Sequence, residues 1–438
     1  MTRRYLAWVV GALLLPLAGT GTALADGTGQ LIGQSNSSSQ QADADATSTQ
    51  IGATNRNISV RVLSPGDDGD VTQSNSSKAG ADASNSNTTG QSAAQHASGD
   101  AAQVIGQENG NRQGADADAT SKQVKPSNDN IAVRVLSPGD GGKVTQSNSS
   151  EAGAKAVNGN ATTQGAEQVA APGDCRCHGG DVLQLIGQKN LSDQHADADA
   201  TSEQIEPSNQ DIAVRVLSPG KDGDVSQSNS SKATSYAGNA NSTDQKAAQK
   251  VGGVAAPLEQ RCGCKDDSLV IQAIGQANGS SQQADADATS KQKKPENLNL
   301  PARVLSPGYG GSVSQSNSSA ADAQAGNRNA TGQQATQQAG GVGCGCQHGD
   351  LVIQAIGQDN GNRQAADADA TSEQWWASNA NAPLSIGSGY EHAMPAPVAE
   401  MLERVMRPAG SVKQANDSQA GSKAGSENTT RQGASQDA

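Results

Sequence analysis

The stretch Gln30–Ser48, QLIGQSNSSSQQADADATS, recurs with few changes at Gln103–Ser121, Gln184–Ser202, Gln272–Ser290 and Gln354–Ser372. Equivalent glutamines stand 73, 81, 88 and 82 residues apart. A recurring period of this kind is the signature of a repeat architecture, in which each unit packs mainly on its neighbours. Within the stretch, Ala42, Ala44, Ala46, Ser48 and Gln50 alternate with Asp43, Asp45, Thr47 and Thr49. That is a period of two, which belongs to a strand and not to a helix.

The alternation continues in a second half. Gln73-x-Asn75 leads into Ala79, Ala81, Ala83, Asn85, Asn87 and then Gln91. Between the halves, Ile58–Leu63 reads as another strand and is broken by Ser64-Pro65-Gly66; Ser-Pro-Gly returns at Ser137, Ser218 and Ser306. Across repeats the alanine positions keep small residues, whereas Lys78, Gly80 and Asp82 become Glu151, Gly153 and Lys155. The small-residue face is therefore packed and the other is wet. The fold expected is all-β, a repetitive β-solenoid or β-arch stack with flexible insertions. Gln and Asn ladders, with Gln34, Asn36, Gln73 and Asn75 as their first members, hydrogen-bond from coil to coil. The alternative is a largely disordered chain, because hydrophobic residues are 33%, aromatics 2%, and Phe is absent.

The spacing Gln30-x-x-Gly33-x-x-Asn36-x-x-x-Gln40, repeated as Gln103, Gly106, Asn109 and Gln113, resembles the curlin repeat of bacterial curli fibres. It carries one extra residue between Gln and Gly, and the Ala after Asn is displaced. The resemblance spans about eleven residues of each unit and implies fibre formation as a functional amyloid. The whole chain is also similar to secreted Gln/Asn/Ala repeat proteins of actinobacteria, a resemblance that implies no activity.

The organisation expected is a signal peptide at 1–25, repeats at 26–102, 103–183, 184–271 and 272–353, and a fifth repeat split into 354–382 and 411–438 around an insertion at 383–410. Arg3 and Arg4, the apolar run Ala7–Leu17 and Ala23-Leu24-Ala25 form the export signal. No later segment is long and apolar enough to span a membrane. In the insertion, Val398, Met401, Leu402, Val405 and Met406 fall at helical spacing between Pro397 and Pro408, so one short C-terminal helix is expected there, as a cap or docking element.

The formal charge of −13 argues against nucleic acid and for solubility, cations or basic surfaces. Asp43 and Asp45 return as Asp116/Asp118, Asp197/Asp199, Asp285/Asp287 and Asp367/Asp369, while neighbouring wet positions drift. Asp is a poor strand former, so the array is a candidate surface for Ca²⁺ or ice. Otherwise it is an acidic face that blocks edge-to-edge sticking. Asp67-Asp68-Gly69-Asp70 is read as a turn, since its acidic residues vary from copy to copy while the glycine stays. Three Cys-x-Cys pairs, Cys175/Cys177, Cys262/Cys264 and Cys344/Cys346, lie in the insertions and are disulfide candidates in an exported chain; no metal site is assigned to them. The histidines occupy non-equivalent positions and no nucleophile elbow or phosphate loop occurs, so no enzyme is expected. The functional expectation is a structural protein of the cell surface or extracellular matrix that associates with itself or with other extracellular components. A monomeric binding module and a disordered spacer are the alternatives.

Overall fold

The computed structural model describes residues 28–171, 181–252, 269–340, 351–386 and 411–437. Each repeat forms one coil of three strands. The first strand of each coil is long and builds sheet A: β1 (Thr28–Ile51), β4 (Ala101–Val124), β7 (Val182–Ile205), β10 (Leu269–Lys293) and β13 (Leu351–Trp375). A short strand follows and builds sheet B: β2 (Thr54–Val62), β5 (Ser127–Val135), β8 (Ser208–Val216), β11 (Glu296–Val304), and the broken pair β14 (Ser378–Asn381) and β15 (Leu384–Ile386). The third strand builds sheet C: β3 (Val71–Ser98), β6 (Val144–Ala171), β9 (Val225–Val251), β12 (Val313–Ala339) and β16 (Val412–Asp437).

All three sheets are parallel and in register, so equivalent residues stack coil upon coil. At about 3.3 Å per residue and 4.8 Å per strand, the stack is a plate roughly 80–90 Å wide and about 24 Å along its axis. The corners explain the strand breaks. Lys125, Glu206, Lys294 and Trp376 take positive φ after sheet A, and Leu63, Leu136, Leu217 and Leu305 do so after sheet B. Gly139 has φ of 141°, and a Cβ there would fall 2.2 Å from the Gly66 carbonyl oxygen, so this corner requires glycine.

Sheets A and C lie face to face with Ala42, Ala44 and Ala46 packed on Ala79, Ala81 and Ala83, and so on up the stack. Small methyls let the sheets approach closely enough for side-chain amides to reach across. Gln107 shows the pattern: its Nε2 donates to Gln34 Oε1 of the preceding coil at 2.8 Å and to the Gly165 carbonyl of sheet C at 3.0 Å. Both N–H groups are thereby used, which fixes the amide's orientation. Buried Gln and Asn thus take much of the space that large aliphatic side chains fill in an ordinary core, and the ladder members are satisfied largely by their own copies.

Gln columns and Asn columns run in opposite directions. Gln103, Gln184, Gln272 and Gln354 each donate to the glutamine of the preceding coil. Asn36, Asn109, Asn190 and Asn278 each donate to the asparagine of the following coil. Seven Gln columns have the first polarity and six Asn columns the second.

Strands of sheet C sit between consecutive strands of sheet A. Ser77 of β3 accepts from Ser121 of β4 at 3.0 Å and donates to Ser48 of β1 at 2.8 Å. The chain of hydroxyls continues unbroken through Ser150, Ser202, Ser231, Ser290 and Ser319 to Ser372 and Ser418.

Among the described residues there is no helix. The expected C-terminal helix lies outside them, but the proposed 383–410 insertion begins as strand: Leu384–Ile386 pairs with Ala302–Val304 of β11. The aliphatic Leu384 and Ile386 continue the sheet B pattern of earlier coils, which is why this piece joins the sheet.

Candidate functional site

The ten aspartates all lie on the outer face of sheet A. In-register stacking turns them into two columns along the axis, Asp43–Asp116–Asp197–Asp285–Asp367 and Asp45–Asp118–Asp199–Asp287–Asp369. Like charges at this spacing repel. Partial burial comes first and the neighbouring carboxylates second in raising Asp118, Asp197, Asp199 and Asp287 above the usual carboxylate range, with Asp199 reaching about 6. Among the described residues no three His, Cys, Asp or Glu side chains converge as a metal site. The columns form a charged face without a pocket.

A second cluster lies where sheet B turns into sheet C. Asp68 accepts from Arg61 Nε at 3.0 Å and from Arg134 Nε at 2.8 Å. Two coils on, Asp222 bridges Arg215 and Arg303 at 2.8 and 2.9 Å. The Arg134 side chain is only 2% exposed and also donates to the carbonyls of Gly66 and Asp140, so it ties two turns together. Asp67-Asp68-Gly69-Asp70 is thus a turn whose Asp68 is shared by two guanidinium groups, the buried Arg134 and the half-buried Arg61. The sequence signal is the inward-phased arginine of Val-Arg-Val-Leu at Arg61, Arg134, Arg215 and Arg303, a charge that needs a partner.

Asp68, Arg134, Arg215 and Asp222 border a cavity of ≈ 580 Å³ that runs up the corner. On its other wall stands the column Asn57, Asn130, Asp211, Asn299 and Asn381. Asn130 donates to Asp211 at 2.6 Å, and the Asn299 Oδ1 above has no partner. An Asn at 211 would donate to that oxygen; an ionised Asp cannot. Burial raises the Asp211 carboxyl to about 6.

The stack ends are the third feature. On coil 1, among the described residues, Gln30, Gln34 and Gln40 each keep one side-chain N–H without a partner, and the Asn36 oxygen accepts nothing. On coil 5 the complement is found among the described residues: Gln354, Gln358 and Gln364 have oxygens, and Asn360 an N–H, without a partner there. Gln34, Asn36, Gln73 and Asn75 are the first members of these columns. Cys175, Cys177, Cys262, Cys264, Cys344 and Cys346 lie outside the described residues, as does the export signal. No helix among the described residues is long and apolar enough to cross a membrane. No protein-family model, curated protein or solved structure matches the chain.

Proposed function

We propose that this chain is a secreted structural protein of the cell surface or extracellular matrix that assembles end to end into fibres. The observation that carries this reading is the match between the two ends. Coil 5 offers glutamine oxygens and asparagine N–H groups where coil 1 offers glutamine N–H groups and asparagine oxygens. The offset of sheets A and C fits as well: β16 overhangs β13 at one end, and β1 overhangs β3 at the other. A coil 1 laid on coil 5 continues the columns of sheet A with the core residues β13 already carries, Gln354, Ile356, Gln358, Asn360 and Gln364, while in sheet C the Asn85 column ends at Asn327, opposite Ser426. Sheet B is also interrupted there, between β14 and β15.

In this reading the Asp columns keep the outer face of sheet A apart from other sheets. A second reading, in which a divalent cation lies along the columns, is favoured by their uncompensated charge and raised carboxyls.

Negative-stain imaging of the mature chain tests the assembly. Filaments with an axial repeat of about 24 Å per copy are expected. Gln354→Lys/Gln358→Lys, which places charge on the coil 5 end, is expected to leave short particles. A mature chain that stays monomeric at high concentration for weeks refutes the fibre reading.

A further inference from the structure

Besides the isoleucines and valines buried between sheets A and C, a set of large aliphatic residues lines an outside face. In β2, Asn57, Ser59 and Arg61 point into the corner, and Ile58, Val60 and Val62 point outward, 58%, 62% and 56% exposed. Their register partners on β5, β8 and β11 are half-buried aliphatics, Ala302 the smallest, β15 adds Leu384 and Ile386, and Leu63 with its copies extends the face by a further column. No charged residue occurs in these columns. Among the described residues nothing covers them.

We propose that the outer face of sheet B docks on the same face of a second copy, pairing two solenoids side by side. Three observations select that occupant. Among the described residues the face is an uncovered sheet of mostly branched side chains, the surface that packs on its own kind at about 10 Å between sheets. Charge on this face is confined to the strand starts, at Arg56, Asp129 and Glu296, whereas sheet A carries the Asp columns and sheet C carries Lys78, Glu151, Lys155 and their neighbours. A lipid surface is disfavoured by a chain of formal charge −13 facing anionic headgroups.

The area sets the scale of the interaction. Five strands at about 4.8 Å by five residues at about 3.3 Å give roughly 400 Å² per copy. Two single copies therefore bury less than the ~1,200 Å² of a stable interface and associate weakly. In an end-to-end stack the stripe is continuous, so the contact grows with every copy added. The pairing of long stacks rests on the fibre reading; the weak pairing of single copies does not.

Val133→Lys/Val214→Lys places ammonium groups on the inner coils of the face without touching the amide core. Val133→Thr/Val214→Thr is the milder companion, and circular dichroism checks that strand content is kept. In electron micrographs, wild type is expected to form filaments two solenoids wide, and both variants single ones of equal length. Wild-type filaments of single width overturn the proposal. If no filaments form, the fibre reading fails and sedimentation at high concentration decides this one. A wild-type dimer lost in the variants supports it, and monomer throughout overturns it. Flotation with phosphatidylcholine vesicles, without pairing, identifies lipid as the occupant and also overturns it.

Discussion

Replacing Gln188 by methionine tests whether amide columns hold this core. Gln188 is 2% exposed on β7 of the middle coil. Its Nε2 donates to Gln107 Oε1 at 2.8 Å and to the Lys246 carbonyl at 3.0 Å, and its Oε1 accepts from Gln276 at 2.8 Å. Met conserves length and volume but takes part in none of these bonds. Gln107 Oε1 and the Lys246 carbonyl lose a donor, and Gln276 loses one acceptor, all out of reach of water. At about 1–3 kcal/mol for each of these three unsatisfied groups, the change is expected to destabilise by roughly 3–9 kcal/mol. Gln34→Met at the coil 1 end removes the bond from Gln107 and one to Ser92, where water reaches the freed groups. Its cost is about 1–2 kcal/mol. Urea unfolding of both variants at protein concentrations below assembly measures the difference. Equal midpoints for Gln188→Met and Gln34→Met refute the reasoning, because they mean that the backbone ladders alone carry the stack.

The Asp211 carboxyl is raised to about 6 from 3.8 in the unfolded chain, so the native state holds its proton more tightly. The resulting stability is fully present below pH 4 and is lost as pH rises through about 6. Linkage gives about 3 kcal/mol for this group, and Asp211→Asn is expected to raise urea midpoints at pH 8 and to remove that part of the pH dependence. An unchanged pH profile in Asp211→Asn refutes the assignment. For the Asp columns, Ca²⁺ is expected to raise the melting temperature of wild type and to leave Asp197→Asn/Asp199→Asn unmoved; no shift in wild type excludes the cation reading.

Much of the scaffold was legible because every coil repeats the same alternation. Ala42, Ala44 and Ala46 against drifting neighbours identify the inner face without any structure. Where the pattern broke down, a single residue decided. Asp68 does not recur in coil 2, so a repeat comparison passes it over, yet the arginines of two coils converge on it. Asp211 replaces one asparagine in a column of five, a change visible only once the column is known to exist. Ile58, Val60 and Val62 alternate with polar Asn57, Ser59 and Arg61, and period two alone turns the aliphatic side inward. The fold reverses that because the corner is lined by amides and arginine. The offset between sheets A and C leaves no mark on single-strand patterns, since it concerns how two strands of different coils nest.

The opposed directions of the Gln and Asn columns have an electrical consequence. Each side-chain amide carries a dipole along the stack, and parallel rows of them would add up with length as peptide dipoles do in a helix. Here seven rows oppose six. The amide fields nearly cancel in every coil, so an added coil meets an end that is no more polarised than the last. The length of the stack is then free of any growing axial field, and each coil adds the same increment of energy as the one before it.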